Sequence, residues 1–240
     1  MNIFCIPFWI LISVLLCIVI VQKPLYQQIG STCGFYALVY GISKVATTKF
    51  HKKKEVRKII EKSIDCGYSH VGEIFDINIM EQIVRKNYSD VNVEVVELSN
   101  INDLDKYLVK NYVIYPCMIK KVPHYVFLEK EKKTKYLYRH KCFAIPRKID
   151  KEKFFQWHQN LEKEKTFKWS SYYMKKRGLW QKIFLLSERL LKITSDCELY
   201  KFLNDNEAKK RKELYDTETN VNMFGKILII SKSGHTSHQN

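Results

Sequence analysis

A cysteine at the point where a polar loop turns into a helix is placed to act as a nucleophile. Cys33 stands in Leu25-Tyr-Gln-Gln-Ile-Gly-Ser-Thr-Cys-Gly-Phe-Tyr-Ala-Leu38, where such a loop meets an apolar, helix-like run. Unpaired backbone N–H groups and the positive end of the helix dipole favour a thiolate there, so the position predicts a lowered thiol pKa. Gln27, six residues earlier, carries a side-chain amide that can donate to a developing oxyanion. Gln28 competes for that role, and the six-residue spacing favours Gln27. A thiol nucleophile also needs a base. His124, in Val122-Pro-His-Tyr-Val-Phe-Leu128, opens what reads as a strand about ninety residues later.

Cysteine first and strand histidine second is the order of a papain-like cysteine peptidase. Residues 25–145, and above all Tyr26 to Leu38 with His124 to Leu128, resemble the C39-like (bacteriocin-processing, double-glycine) branch of that superfamily. The resemblance implies Gln27 as the oxyanion glutamine, Cys33 as the nucleophile, Gly34 as the glycine after it and His124 as the general base. The Cys-Gly-[Ser/Ala]-Cys-[Trp/Tyr] signature of papain and the cathepsins is absent. Where the family carries an aspartate or asparagine to orient the base, this chain has His140, and no Asp or Asn occurs between His124 and Asp150. Three arrangements stay open: His140 orients the base, a backbone carbonyl does, or the site runs as a Cys–His dyad. The resemblance further implies cleavage of a peptide or leader sequence after small residues, with no cofactor. Two rivals share the chemistry or the scaffold. One is acyl transfer to an amine through the same groups. The other is a catalytically decayed, basic, membrane-tethered interaction protein.

The remaining reactive side chains have plainer readings. A free cysteine is ordinarily a small buried hydrophobe, which suits Cys66, Cys117, Cys142 and Cys197. No pair has Cys-x-x-Cys spacing, and His235-Thr-Ser-His238 lies in a polar tail, so no metal site is expected. Tyr125 reads as sheet core. His51, His70 and His158 sit in polar contexts without an evident partner.

Ile3 to Val21 holds nineteen residues without a charge, long enough to span a hydrocarbon core as a helix. No basic residue precedes the run and no Ala-x-Ala site follows it, which favours an uncleaved anchor over a signal peptide. With Lys23 and a lysine-rich stretch beyond it, the positive-inside tendency sets the remaining chain on the cytoplasmic side. Five cysteines outside the anchor, an odd number without regular spacing, fit reduced thiols. The net charge of +16 is spread out: residues 1–30 carry one net positive charge, 31–146 seven and 147–240 eight. The runs Lys52-Lys53-Lys54 and Lys209-Lys210-Arg211-Lys212 adjoin Glu55 and Glu213, as solvated helix faces do. This distribution suits an anionic lipid surface beside the anchor. No nucleic-acid-binding signature accompanies it.

The elements that must position the site follow from hydrophobic period. Helices are expected over Cys33–Ala46, Lys52–Ile64 and Glu73–Lys86, then a strand over Val91–Leu98. Ser99 or Asn100 caps a short helix to Leu108. Strands follow at Tyr112–Ile119, His124–Glu129 and Lys135–Arg139. Beyond Pro146, Lys151–Glu164, Gly178–Lys192 and Asp196–Tyr215 read as charged, aromatic-rich helices, and Gly225–Ser231 as a short buried strand returning to the sheet. The expected architecture is α+β and papain-like: one transmembrane helix (1–22), a catalytic core of N-terminal helices on an antiparallel sheet (23–146), and a basic helical extension (147–240).

Overall fold

The computed structural model describes residues 32–69, 72–119, 122–132, 135–139, 146–163, 166–168 and 220–233. Helix α1, Cys33–Val45, is buried almost all round, with only Cys33, Ser43 and Lys44 partly or well exposed. It stops where Ala46 turns to an extended backbone, and the carboxylate of Asp90 then takes the N–H and hydroxyl of Thr47 at 2.7 and 2.6 Å. Helix α2, Lys52–Asp65, buries Val56, Ile59, Ile60 and Ile64 on one side. It ends in the left-handed Gly67 (φ 74°), a conformation that a side chain resists, with Tyr68 N–H returning to the carbonyl of Ser63 at 2.8 Å. Helix α3, Ile77–Asn87, begins later than the expected Glu73. Asp76 caps it, its carboxylate accepting the Asn78 N–H at 2.8 Å, and this fixes the first turn beyond the apolar Ile74.

Strand β1, Val91–Glu97, is followed by a 3₁₀ turn, Ile101–Asp103, and by α4, Leu104–Tyr107, with Asn100 accepting the Asn102 N–H at 2.9 Å. Strands β2 (Tyr112–Ile119), β3 (Val122–Lys132), β4 (Lys135–Arg139) and β5 (Arg147–Asp150) lead to helix α5, Lys151–Lys163. A small hairpin pairs β6 (Thr166–Lys168) with β7 (Asn220–Asn222), and β8 (Lys226–Lys232) completes the described chain. The main sheet has the order β1-β8-β2-β3-β4-β5, every pair antiparallel. Pro116 sits past the end of the β2–β8 pairing, which covers only Tyr112 to Ile114, so its missing N–H removes no bond to β8.

The pleat divides the core in two. Ile114, Tyr125, Phe127, Leu228 and Ile230 face α1, α2 and α3. Val113, Tyr115, Cys117, Val126, Leu128 and Ile229 face the other way, under Leu104 of α4 and Phe154 of α5. Helices therefore cover both faces. Phe127 anchors the first layer, meeting Tyr40 edge-on at 4.7 Å between ring centres and stacking on Tyr112 at 5.5 Å. Each such pair adds about 0.5–1.5 kcal/mol beyond its burial.

The part expected as a helical extension ending in a strand holds more strand than expected where it is described, and its closing strand is found in the main sheet as β8. β5 precedes α5, and β6, β7 and β8 are strands. The helices expected at Gly178–Lys192 and Asp196–Tyr215, and the anchor at 1–22, lie outside the described residues. Among the described residues no helix is long and apolar enough to cross a membrane.

Candidate active site

Cys33 is the first residue of α1, preceded by the fully buried Thr32, whose carbonyl accepts the Tyr36 N–H at 3.1 Å. The helix is pressed onto β3 at this end. A Cβ added to Gly34 would lie 3.3 Å from the Tyr125 ring, 3.3 Å from Ile74 Cβ and 2.7 Å from the Met80 methyl. Any side chain there would press on Ile74 and the Tyr125 ring, and glycine avoids this. The Cys33 sulfur consequently reaches the β3 backbone, where the N–H of Tyr125 donates to it together with those of Gly34 and Cys33 itself.

The charge balance at the sulfur differs from the expected one. Although Cys33 as a residue is only half-buried, desolvation of its sulfur dominates and pushes the thiol above its ordinary pKa. The three backbone N–H groups pull the other way without reversing it. The expectation of a lowered pKa is thus corrected: the helix start supplies donors, but the packing of α1 on β3 excludes water.

His124 lies one residue before Tyr125 on β3, half-buried, with its Nδ1 shielded from solvent. Its partner across the β2–β3 ladder is Cys117, which is fully buried and whose thiol burial raises strongly, with a smaller contribution from Cys33. The thiol of Cys33 and the backbone of His124 are therefore brought to adjacent positions along β3. Tyr125 closes the site from below. Its hydroxyl donates to the carbonyl of Phe75 at 2.8 Å, and burial, then the nearby Cys33, holds its pKa high.

Gln27 and His140, the expected oxyanion donor and base orienter, lie outside the described residues, as do His70, Cys142 and Cys197. Cys66 is exposed at the end of α2 and Cys117 is core. His158 has a partner that sequence reasoning missed: the Tyr115 hydroxyl and His158 Nδ1 lie 2.6 Å apart, on the sheet face away from α1. The Tyr125 N–H was also missed. A backbone donor leaves no mark in a sequence; the only hint was Gly34, the residue that lets the helix approach. Among the described residues no three His, Cys, Asp or Glu side chains gather as a metal site would require.

A sequence profile described as actin maturation protease-like, C-terminal domain, matches residues 23–123. That stretch includes Gln27 and Cys33 and ends one residue before His124. Among solved structures, the chain is similar to the peptidase domain of Streptococcus ComA, described as a bi-functional ABC transporter involved in a quorum sensing pathway. The identity is 12%, over 54% of this chain and 87% of that one, with a TM-score of 0.40. No curated protein matches the chain.

Proposed function

We propose that this protein is a papain-like cysteine peptidase in which Cys33 is the nucleophile and His124 the general base. The observation that supports it most is the seating of the Cys33 sulfur, at the first turn of α1, on the N–H of the residue that follows His124. The matched profile, itself named for a protease, adds to that support.

With its pKa raised, the thiol rests as S–H, so its proton must leave as the sulfur attacks. His124 takes that proton while the Cys33 sulfur bonds to the substrate carbonyl carbon. The carbonyl oxygen becomes an oxyanion beside the Cys33 N–H and the Gln27 amide. His124 then protonates the departing amine, and the C–N bond breaks to leave a thioester on Cys33. Water, deprotonated by His124, adds to the thioester carbonyl and releases the acid and the free thiol. His140, a backbone carbonyl or nothing at all holds the far side of the imidazole. Residues 1–22 would tether the enzyme to a membrane, with the catalytic part on the cytoplasmic side. The family name makes an immature actin the first protein substrate to test, and a leader peptide with small residues at the cleavage point the second.

The experiment is capture by a peptidyl epoxide such as E-64, read by mass spectrometry. One adduct is expected, on Cys33, formed at least tenfold more slowly in His124→Ala, with Cys66 unmodified in both. No adduct on Cys33, or an equal rate without His124, would favour the decayed scaffold, a reading supported by the missing Asp or Asn after His124 and by the raised thiol pKa. Thioester transfer to added hydroxylamine in preference to water would mark an acyltransferase instead.

A further inference from the structure

We infer that a cavity beside Cys33 selects substrates that carry a large apolar side chain, of leucine to phenylalanine size, close to the scissile bond. The inference rests on the peptidase reading and adds a substrate class to it. The resemblance implies small residues at the cleavage point, and small residues would leave such a space unfilled. The cavity holds about 270 Å³ and lies between the start of α3 and the segment that enters β8.

Tyr125 joins this space to the thiol. Its N–H donates to the Cys33 sulfur, and its ring lies 3.3 Å from where a Cβ on Gly34 would stand. Its hydroxyl donates to the carbonyl of Phe75 at 2.8 Å, and both Tyr125 and Phe75 line the cavity. Cys33 on one side and Asp76 of the cavity wall on the other both raise the pKa of the Tyr125 phenol. One residue therefore stands between the sulfur and the space. An extended peptide advances about 3.3 Å per residue, so a substrate seated on Cys33 brings a side chain from near its scissile bond to this cavity.

The lining sets what can fill it. Ile77, Met223 and Tyr125 are buried and make its floor. The Tyr125 proton is already given to Phe75, so a charged tip on that floor loses its water and meets no opposite charge. Asp76 and Lys226 stand at the more open side, one acid and one base, and together attract neither sign. The Asp76 carboxylate is further engaged by the N–H and side-chain amide of Asn78, at 2.8 and 2.7 Å. Phe75 and Phe224, both half-buried, supply aromatic wall against which an aliphatic branch, a thioether or a ring packs. Glycine or alanine forfeits those contacts. Leucine, methionine and phenylalanine make them.

The test uses the full chain and a set of epoxides built like E-64, with phenylalanine, glycine, glutamate or lysine in place of its leucine. In each, the Cys33 sulfur bonds to an epoxide carbon, the C–O bond breaks and the oxygen takes a proton. Mass spectrometry follows the rate of the Cys33 adduct. The leucyl and phenylalanyl compounds should react about tenfold faster than the glycyl one, or more, and the glutamyl and lysyl compounds no faster than the glycyl. In Asn78→Phe, which sets a ring across the cavity, the leucyl-to-glycyl ratio should fall toward one. In Lys58→Gln, on α2 and outside the lining, the ratio should stay that of the parent. Equal leucyl and glycyl rates in the parent, a faster glutamyl or lysyl compound, or an unchanged ratio in Asn78→Phe overturns the subsite and leaves the peptidase reading standing. If Cys33 takes none of the compounds, the peptidase reading falls and the subsite falls with it.

Discussion

At the scale of single residues, the decisive feature is a thiol that receives three backbone donors and is nonetheless held protonated. Burial raises the Cys33 pKa, and the donors offset only part of that rise. The folded pKa lies above the unfolded one, so this thiol favours folding below its ordinary pKa and loses that contribution as pH rises through the folded value. Alkylation by iodoacetamide, which needs thiolate and no bound substrate, should therefore still climb with pH above the ordinary thiol range of about 8.5. A rate for Cys33 that levels off near neutral pH would show that an ion pair with His124 outweighs burial.

Gly34 is the other single position that sets the site. In Gly34→Ala the Met80 methyl, at the end of a flexible chain, can move aside, but Ile74 Cβ and the Tyr125 ring have little room. Alanine gains about 1 kcal/mol of helix propensity over glycine, and overpacking costs about 1–3 kcal/mol, so stability should change little or fall modestly. Capture of Cys33 by a peptidyl epoxide should fall much more, because β3 carries both Tyr125 N–H and His124. Comparing the urea midpoint with the capture rate separates the two effects.

At the scale of elements, the start of helix α5 is fixed by one carboxylate. Asp105 of α4 takes the ammonium of Lys151 in a short contact, the Tyr136 hydroxyl at 3.1 Å and, more distantly, Lys130 at 4.0 Å. Desolvation raises its pKa, but the bonds from Lys151 and Tyr136 and the charges of Lys151 and Lys130 bring it below the ordinary value. A depressed carboxylate stabilises above its unfolded pKa and ceases to as pH falls through the folded one. Asp105→Ala should cost about 1–2 kcal/mol at pH 7, allowing for partial exposure, and close to nothing near pH 2. Urea unfolding at the two pH values measures this, with Cys33 capture unchanged because α5 lies on the opposite face.

The same scale shows what was legible beforehand. The strands at Tyr112–Ile119 and Lys135–Arg139 are found as expected, since their apolar runs or alternation are unbroken. β5 was missed because Arg147-Lys148-Ile149-Asp150 offers one buried side chain, Ile149, and its pairing with β4 supplies the rest. The start of α3 was misjudged because Glu73 and Ile74 continue the helical period while the cap is Asp76. Cys33, Gly34 and His124 were conspicuous by type and spacing. What brings Cys33 to Tyr125, the residue after His124, is the packing of α1 on β3, and no local pattern encodes that.

At the scale of the whole molecule, β8 is the strand on which the sheet depends. It pairs with β1 along Val91–Glu97 and with β2 at Tyr112–Ile114, and its Ile230 methyl abuts Gly41 of α1. Deleting residues 226–240 should leave β1 unpaired and Ile114 and Phe127 partly bare, giving an aggregating chain that E-64 does not label. A synthetic peptide spanning 220–233 should restore labelling by adding itself as the missing strand. A labelled, monomeric truncation would show that the site stands without it.

That dependence has a meaning in time. During synthesis, α1 to β4 leave the ribosome well before the residues that join β1 to β2, so for about a hundred residues' worth of translation the nucleophile exists without the framework that seats it. On the peptidase reading, an enzyme assembled in this order would stay inert toward its own nascent chain and its neighbours, and would become competent only when β8 arrives.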